Sequence, residues 1–114
     1  MARIPERLQI GPYRYSVEVS TEAIDAESVR SGAGLPGSMS GRHLPSQGKI
    51  LLSEEPSPDY TADTLLHEVL HALMHACGLN LGDQEEDACL ALSPILLDTL
   101  RRQPDLLAYL LDPE

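Results

Sequence analysis

A His-Glu-x-x-His pattern at His67, Glu68 and His71 is the part of this chain whose residue types and spacing point most directly to chemistry. The pattern lies in a run of Leu, Val and Ala that is typical of a helix, and residues four apart on a helix project from one face. His67 and His71 therefore present two imidazoles at a spacing that suits one zinc ion. Glu68 is one step around the helix, so its carboxylate can reach a water on the metal without being a ligand.

A catalytic zinc site usually takes three protein ligands and keeps a fourth position for water. The residues near the motif that offer a further ligand atom are His75, Cys77, Glu85, Glu86 and Asp87. Four residues raise a helix by about 6 Å, which puts His75 too far from an ion held between His67 and His71. Cys77 lies further still, so the acidic residues are the better candidates.

The acidic residues at 85–87 open a later helix, and helical phase separates them. The apolar residues that follow cluster on one face of a 3.6-residue wheel: Ala88, Cys89, Leu92, Ile95, Leu96 and Leu100. Glu85 falls near the middle of that face, Glu86 falls toward its edge and Asp87 points away. A carboxylate that faces the core is costly unless it is paired or binds a metal. The sequence therefore predicts Glu85 as the third ligand, with Glu86 as the alternative.

The first half of the chain carries the strand signals. Alternating apolar and polar residues predict a strand over 13–19. Residues 31–48 are rich in Gly, Ser and Pro and predict coil, apart from a short strand near 39–44. Gln47-Gly48 predicts a turn into a second strand over 49–53, and the two strands beside that turn would pair antiparallel.

Helix signals dominate the second half, which together with the strands predicts an α+β domain. The motif helix is expected to start between Asp59 and Thr61, either of which could cap it, and to end at Gly78. Further helices are expected over 84–102 and 104–111. Pro94 should kink or break the first of these. Residues 21–30 fit either a short helix or an irregular segment.

The chain has 114 residues and a formal net charge of −10, and both values limit what it can be. Its length allows one domain with a single core. The excess of acid disfavours nucleic acid and anionic membranes as direct partners, because phosphate binding needs clustered Lys and Arg. Two cysteines are too few for a disulfide framework, and the N-terminal residues lack the apolar run of a signal peptide. We therefore expect a soluble cytoplasmic protein, whose oligomeric state stays open.

The chain resembles the gluzincin-type zinc metallopeptidases, and more narrowly the small phage-type and ImmA/IrrE-like members. The resemblance rests on the motif at 67–71 and on the helix that opens with Glu85, and it covers roughly residues 45–105. It implies a minimal zincin-like α+β fold, with a small antiparallel sheet or hairpin packed on the motif helix and further helices after it. In the ImmA/IrrE pattern, an Ala and a polar residue stand three and four positions after the ligand glutamate. In this chain Ala88 and Cys89 stand at those positions after Glu85.

The same resemblance implies a function, which is hydrolysis of a peptide or protein substrate by a water on one zinc ion, with Glu68 as general base. It also implies an edge strand, here 49–53, that pairs with an extended substrate. Four side chains could stabilise the oxyanion, and the sequence does not choose among them: His43, Tyr60, His75 and Tyr109.

Two other interpretations fit the same residues. The motif could serve a catalytically inactive, zincin-like interaction module that keeps zinc for structure, although such a site has no use for Glu68. Alternatively, His67 and His71 are core histidines bonded to carbonyl groups in a metal-free helical domain. The observation that separates these interpretations is whether a carboxylate of the following helix meets both imidazoles.

Overall fold

Four strands form one sheet in the computed structural model, which describes residues 2–31 and 39–114. They are β1 (Arg7–Ile10), β2 (Tyr13–Val19), β3 (Gly41–Leu44) and β4 (Lys49–Leu52), in the order β1-β2-β4-β3. The three predicted strands are confirmed, and β1 is an additional one that pairs with β2 through a turn at Gly11. The φ of Gly11 is 57°, a left-handed conformation that favours glycine. The coil predicted across 32–38 lies outside the described residues.

Four helices complete the fold within the described ranges. They are α1 (Thr21–Ser31), α2 (Pro58–Cys77), α3 (Gln84–Arg102) and α4 (Pro104–Leu111). Residues 21–30 therefore adopt the helical alternative, and the three later helices are confirmed. α3 continues through Pro94, so it does not end there as a break would require. None of the described helices is both long enough and apolar enough to cross a lipid bilayer.

One strand pair runs parallel, which corrects the prediction of an antiparallel sheet. β2 pairs parallel with β4, whereas the β1/β2 and β3/β4 pairs are antiparallel. Parallel neighbours need a long connection, and residues 20–48 supply it between β2 and β4. Because β4 has a neighbour on each side, the expectation that it forms a sheet edge is wrong. The two edge strands are β1 and β3, and both contact α2.

The sheet is covered by a helix on each face, and β4 shows why. Ile50 and Leu52 point to one side and Leu51 to the other, as successive residues of a strand must. The first pair enters a core with Ala72 of α2, and Leu51 packs with Ile24 of α1. A strand buried on both faces needs an unbroken apolar sequence, which Ile-Leu-Leu provides.

The ends of α2 are set by its flanking residues. Ser57 caps the start, because its hydroxyl accepts a hydrogen bond of 3.2 Å from the backbone N–H of Tyr60. Pro58 follows at a position where a missing N–H costs nothing. Asp59 and Thr61, the two predicted capping residues, do not fill this role. The predicted stop at Gly78 is confirmed, since its φ of 73° is the left-handed conformation of a helix C-terminus.

α3 packs against α2 through a small core and one side-chain hydrogen bond. Leu70 and Met74 of α2 meet Cys89 of α3. One turn along α3, the hydroxyl of Ser93 donates to Oδ1 of Asp63 at 2.8 Å, and Ser93 is only 1% exposed. These contacts hold the first turn of α3 beside the middle of α2.

The Ser93–Asp63 bond leads to a stability prediction. We expect Ser93→Ala to lower the free energy of unfolding by about 1–2 kcal/mol, because Asp63 loses a partner in a partly buried position. The matched control is Thr99→Ala, whose hydroxyl donates to the carbonyl of Ile95 within α3 and whose loss should cost less than about 0.5 kcal/mol. Urea unfolding of the three proteins measures the difference, and equal costs would contradict the role given to Ser93.

Candidate functional site

Two helices supply the residues of the candidate site. α2 carries His67, Glu68 and His71 through the interior, where His67 is 9% and Glu68 is 5% exposed. After a short return loop, the first turn of α3 supplies Glu85 and Glu86. All five residues belong to helices that pack on each other, so their relative positions depend on the α2–α3 contact.

Three side-chain atoms converge between these helices. Oε1 of Glu86 lies 2.9 Å from Nε2 of His67 and 2.7 Å from Nε2 of His71. The two Nε2 atoms are 3.2 Å apart. Within the described residues, these three side chains form the group that could share one metal ion. We call them the ligand cluster.

Glu85 meets His71 from the opposite side of the imidazole ring. Its Oε2 lies 2.6 Å from Nδ1 of His71, and because an ionised carboxylate only accepts, Nδ1 carries the proton. In the neutral form of His71, Nε2 then keeps a lone pair, whereas in the protonated form Nε2 donates to Glu86. Glu85 was predicted to be the third ligand and Glu86 the alternative. The structure brings Glu86 to the shared position and leaves Glu85 on the outer nitrogen.

The helical wheel predicted Glu85 rather than Glu86 because it treated as core-facing several apolar residues of α3 that are exposed. Leu92 and Ile95 are 51% and 67% exposed, whereas the buried residues of α3 are Cys89 and Ser93. If the wheel is centred on Cys89 and Ser93 instead, the predicted core-facing side of α3 turns by about 60°. Glu86, one turn before Cys89 and two turns before Ser93, then lies on the face that meets α2.

Glu68 lies beside the ligand cluster without belonging to it. A methyl group at Gly41 of β3 would stand 2.8 Å from Oε2 of Glu68 and 2.7 Å from Cγ2 of Thr64. The strand passes so close to α2 that a glycine is what leaves room for the carboxylate. Burial raises the pKa of Glu68 to about 7. That value suits a group that accepts a proton near neutral pH.

The pKa shifts within the cluster show how its groups stabilise each other. Burial acts to lower the pKa of His71, but hydrogen bonds to Glu85 and Glu86 outweigh burial and leave that pKa raised. Burial acts to raise the pKa of Glu86, but the hydrogen bonds and charges of His71 and His67 leave it lowered. Two carboxylates around two imidazoles therefore create a negative potential that favours a cation.

A cleft of about 340 Å³ lies over the ligand cluster between α2, α3 and β3. Arg42 and His43 of β3 line one side of it. A second lobe of about 320 Å³ shares Glu68 and Glu86 with the first and extends to Tyr60 of α2. Because the lobes lie on both sides of the cluster, an extended chain could continue past it in both directions.

His43 is fixed in the cleft by a hydrogen bond from the sheet. Burial lowers the pKa of His43 to about 4, with a further contribution from the nearby His75. Burial raises the pKa of Tyr15, and its hydroxyl lies 2.9 Å from Nε2 of His43. When this hydroxyl donates to Nε2, the neutral imidazole carries its own proton on Nδ1. In that tautomer His43 has a hydrogen-bond donor of the kind an oxyanion partner needs.

The other candidates lie outside both lobes of the cleft. His75 is exposed and contacts Tyr13, with 5.0 Å between the ring centroids. Cys77 and Asp87 are exposed on their helices, and Tyr109 is exposed on α4. Of the four oxyanion candidates, His43 and Tyr60 are thus the two that line the cleft.

Two contributors to the site carried no usable signal in the sequence. Gly41 belongs to a run of Gly and Ser in which a linker glycine and a close-approach glycine look alike. Tyr15 alternates with polar residues as any strand residue would. Their roles depend on β3 and β2 lying near α2, which is a tertiary relationship.

Comparison with protein-family models, with curated proteins and with solved structures gives no match for this chain. No family is therefore assigned. The case for a function rests on the geometry of the cleft and of the ligand cluster.

The contact between Gly41 and Glu68 predicts coupling between the two positions. We expect Gly41→Ala to lower the free energy of unfolding by about 1–3 kcal/mol, because the added methyl group overpacks this contact. In a Glu68→Ala background the same substitution should cost at least about 1 kcal/mol less, since one of the two crowded partners is gone. Urea unfolding of the four proteins completes the cycle, and additive costs would contradict the contact.

Proposed function

We propose that this protein is a zinc-dependent metallopeptidase with a minimal zincin-like arrangement, in which His67, His71 and Glu86 hold one zinc ion. The observation that supports it most is the convergence of Nε2 of His67, Nε2 of His71 and Oε1 of Glu86 within 2.7–3.2 Å of one another. Glu85 then has a different role from the one first expected. It orients His71 and fixes its proton, which is what carboxylates behind zinc-binding histidines do.

The three residues of the ligand cluster fit a zinc ion. Zinc in proteins is tetrahedral with bonds near 2.0 Å to nitrogen and oxygen, so two ligand atoms stand about 3.3 Å apart. The three atoms of the cluster are already close to that spacing, and a small outward shift would admit the ion. The lone pair that Glu85 leaves on Nε2 of His71 is the form of imidazole that binds metal. A set of two imidazoles and one carboxylate is a known catalytic zinc set.

The chemistry of the site divides between the metal and Glu68. A bound zinc ion would polarise a water molecule and lower its pKa toward about 7. Glu68 would accept a proton from a water held at the site as the water oxygen bonds to the peptide carbonyl carbon. It would then deliver the proton to the nitrogen as the C–N bond breaks, which returns the carboxylate to its first state. The buried position of Glu68, outside the ligand cluster, supports this role.

The substrate is a peptide or protein segment that reaches the cleft in extended form. β3 is the sheet edge beside the cluster, so its free backbone groups can pair with such a segment. His43 and Tyr60 face the two lobes and can donate to the developing oxyanion. The cytoplasmic location expected from the sequence stays a prediction.

The metal assignment is tested by a series of three substitutions in adjacent residues. We expect Glu86→Ala to weaken zinc binding at least about 100-fold, because a ligand is lost, and Glu85→Ala to weaken it about 10- to 100-fold through the orientation of His71. Asp87→Ala should leave the affinity within about twofold, since that side chain is exposed outside the cleft. Competition with a zinc chelator of known affinity measures all three. A larger loss for Glu85→Ala than for Glu86→Ala would return the third position to Glu85.

The chemical assignment is tested by the substitution Glu68→Gln. The amide keeps the shape of the side chain but accepts no proton, so we expect cleavage of a peptide library to fall at least about 100-fold while zinc binding is retained. Mass spectrometry of the library products and metal analysis of the same samples give both values. Zinc bound by both proteins with cleavage by neither would favour the alternative, an inactive interaction module with a structural zinc ion.

A further inference from the structure

α4 is uncovered, although it is the most apolar helix of the chain. All of its residues are exposed, and five of them have large apolar side chains that are 39–77% exposed: Leu106, Leu107, Tyr109, Leu110 and Leu111. The preceding helix, α3, carries three more that are 36–67% exposed: Leu92, Ile95 and Leu96. α3 is the element that α4 contacts most. We call these eight side chains the α3–α4 leucine surface.

An uncovered helix of this kind points to a missing partner. A helix of eight residues is unstable alone and depends on burial of an apolar face. The apolar residues of α4 occupy more than half of its circumference, a pattern typical of a helix with contacts on several sides. Exposed apolar patches of this size on soluble proteins are usually interaction sites.

The residues of this sequence outside the described ranges offer few large apolar side chains for such a surface. Residue 1 and residues 32–38 lie outside the described ranges. They contain two large apolar side chains, those of Met1 and Leu35. Two side chains are too few to bury eight.

Charge indicates which partner would fit. Residues 50–114 hold 13 of the 18 acidic residues of the chain but only two of its eight basic residues, Arg101 and Arg102. Both arginines are already paired, with Asp59 and Asp98, at 2.9 Å. Two copies that met through this surface would bring their acidic halves together, which costs free energy. A cationic partner would gain attraction instead.

We propose that the α3–α4 leucine surface binds a basic amphipathic helix of another protein. The apolar face of that helix would lie along α4, in the manner of helices that bind a hydrophobic groove. Its Lys and Arg residues would face Asp105, Asp112 and Glu114, which flank the leucines in the sequence.

This surface is separate from the ligand cluster. Glu86 stands in the first turn of α3, whereas α4 follows its last residue, Arg102. Sixteen residues of helix between Glu86 and the end of α3 span about 24 Å, whereas Leu92, the member of the surface nearest to Glu86 in the sequence, is six residues or about 9 Å along the helix. The proposal therefore does not depend on peptidase activity, and a failure of one does not bear on the other.

The probe is an amphipathic peptide of about 18 residues, with Leu at helical spacing on one face and Lys elsewhere, and the control peptide has Glu in place of Lys. Titration calorimetry on the full chain should show binding of the lysine peptide and none of the glutamate peptide. Leu107→Asp and Leu110→Asp should each weaken that binding at least about tenfold. Both substitutions add negative charge, which by electrostatics alone would strengthen binding of the lysine peptide. A loss of affinity therefore reports the apolar contact.

The control variant is Val29→Asp on α1, which makes the same change of charge at a residue that is 60% exposed on another part of the molecule. It should bind the lysine peptide at least as well as the unchanged protein. Leu111→Asp, at the most exposed of the leucines, replaces either variant that fails to fold by circular dichroism.

The proposal is overturned if the peptide does not bind, or if the leucine variants bind it undiminished, because attraction is then electrostatic only. It is equally overturned if the protein alone forms dimers in sedimentation that Leu110→Asp dissociates, because a second copy then covers the surface.

Discussion

The hydrogen bond between Glu85 and Nδ1 of His71 is the constraint on which the site depends. By holding a proton on the outer nitrogen, it places the lone pair of the neutral imidazole on the inner nitrogen, and by holding the ring it sets the direction of that lone pair. The bond exists only because the first turn of α3 lies against α2. The small core around Cys89 and the hydrogen bond from Ser93 to Asp63 are therefore as necessary to the site as the polar groups themselves.

The sheet contributes in a different way, by restricting what surrounds Glu68, a carboxylate outside the ligand cluster. β3 closes over Glu68 at Gly41 and presents His43 to the same cleft, while Tyr15 of β2 holds His43 from behind. Helices thus supply the ligand cluster, whereas β3 supplies the close contact at Glu68 and one wall of the cleft. This separation lets one carboxylate remain buried with a raised pKa while another, Glu86, is drawn toward the imidazoles with a lowered pKa.

Local signals in the sequence were sufficient for the parts of the fold that local physics determines. The motif helix with its stop at Gly78, the two later helices and the strand over 13–19 follow from periodicity and turn residues. The parallel pairing of β2 with β4 depends on contacts between distant segments that no local signal reports, and the resemblance had implied a small antiparallel sheet or hairpin instead. The choice between Glu85 and Glu86 failed for a related reason. A wheel assumes that apolar residues are buried, and on α3 several of them, including Ile95, face solvent.

The position of Gly41 has a consequence for how the chain must assemble. Side chains on a strand alternate between faces, so an offset of a single residue between β3 and β4 would bring Ser40 or Arg42 to the place where there is room only for a hydrogen atom. A misaligned hairpin would then be unable to close against α2, whatever its own backbone hydrogen bonds were worth. Gly41 therefore couples the alignment of β3 with β4 to the packing of Glu68, because Glu68 fits beside the strand only in the observed register.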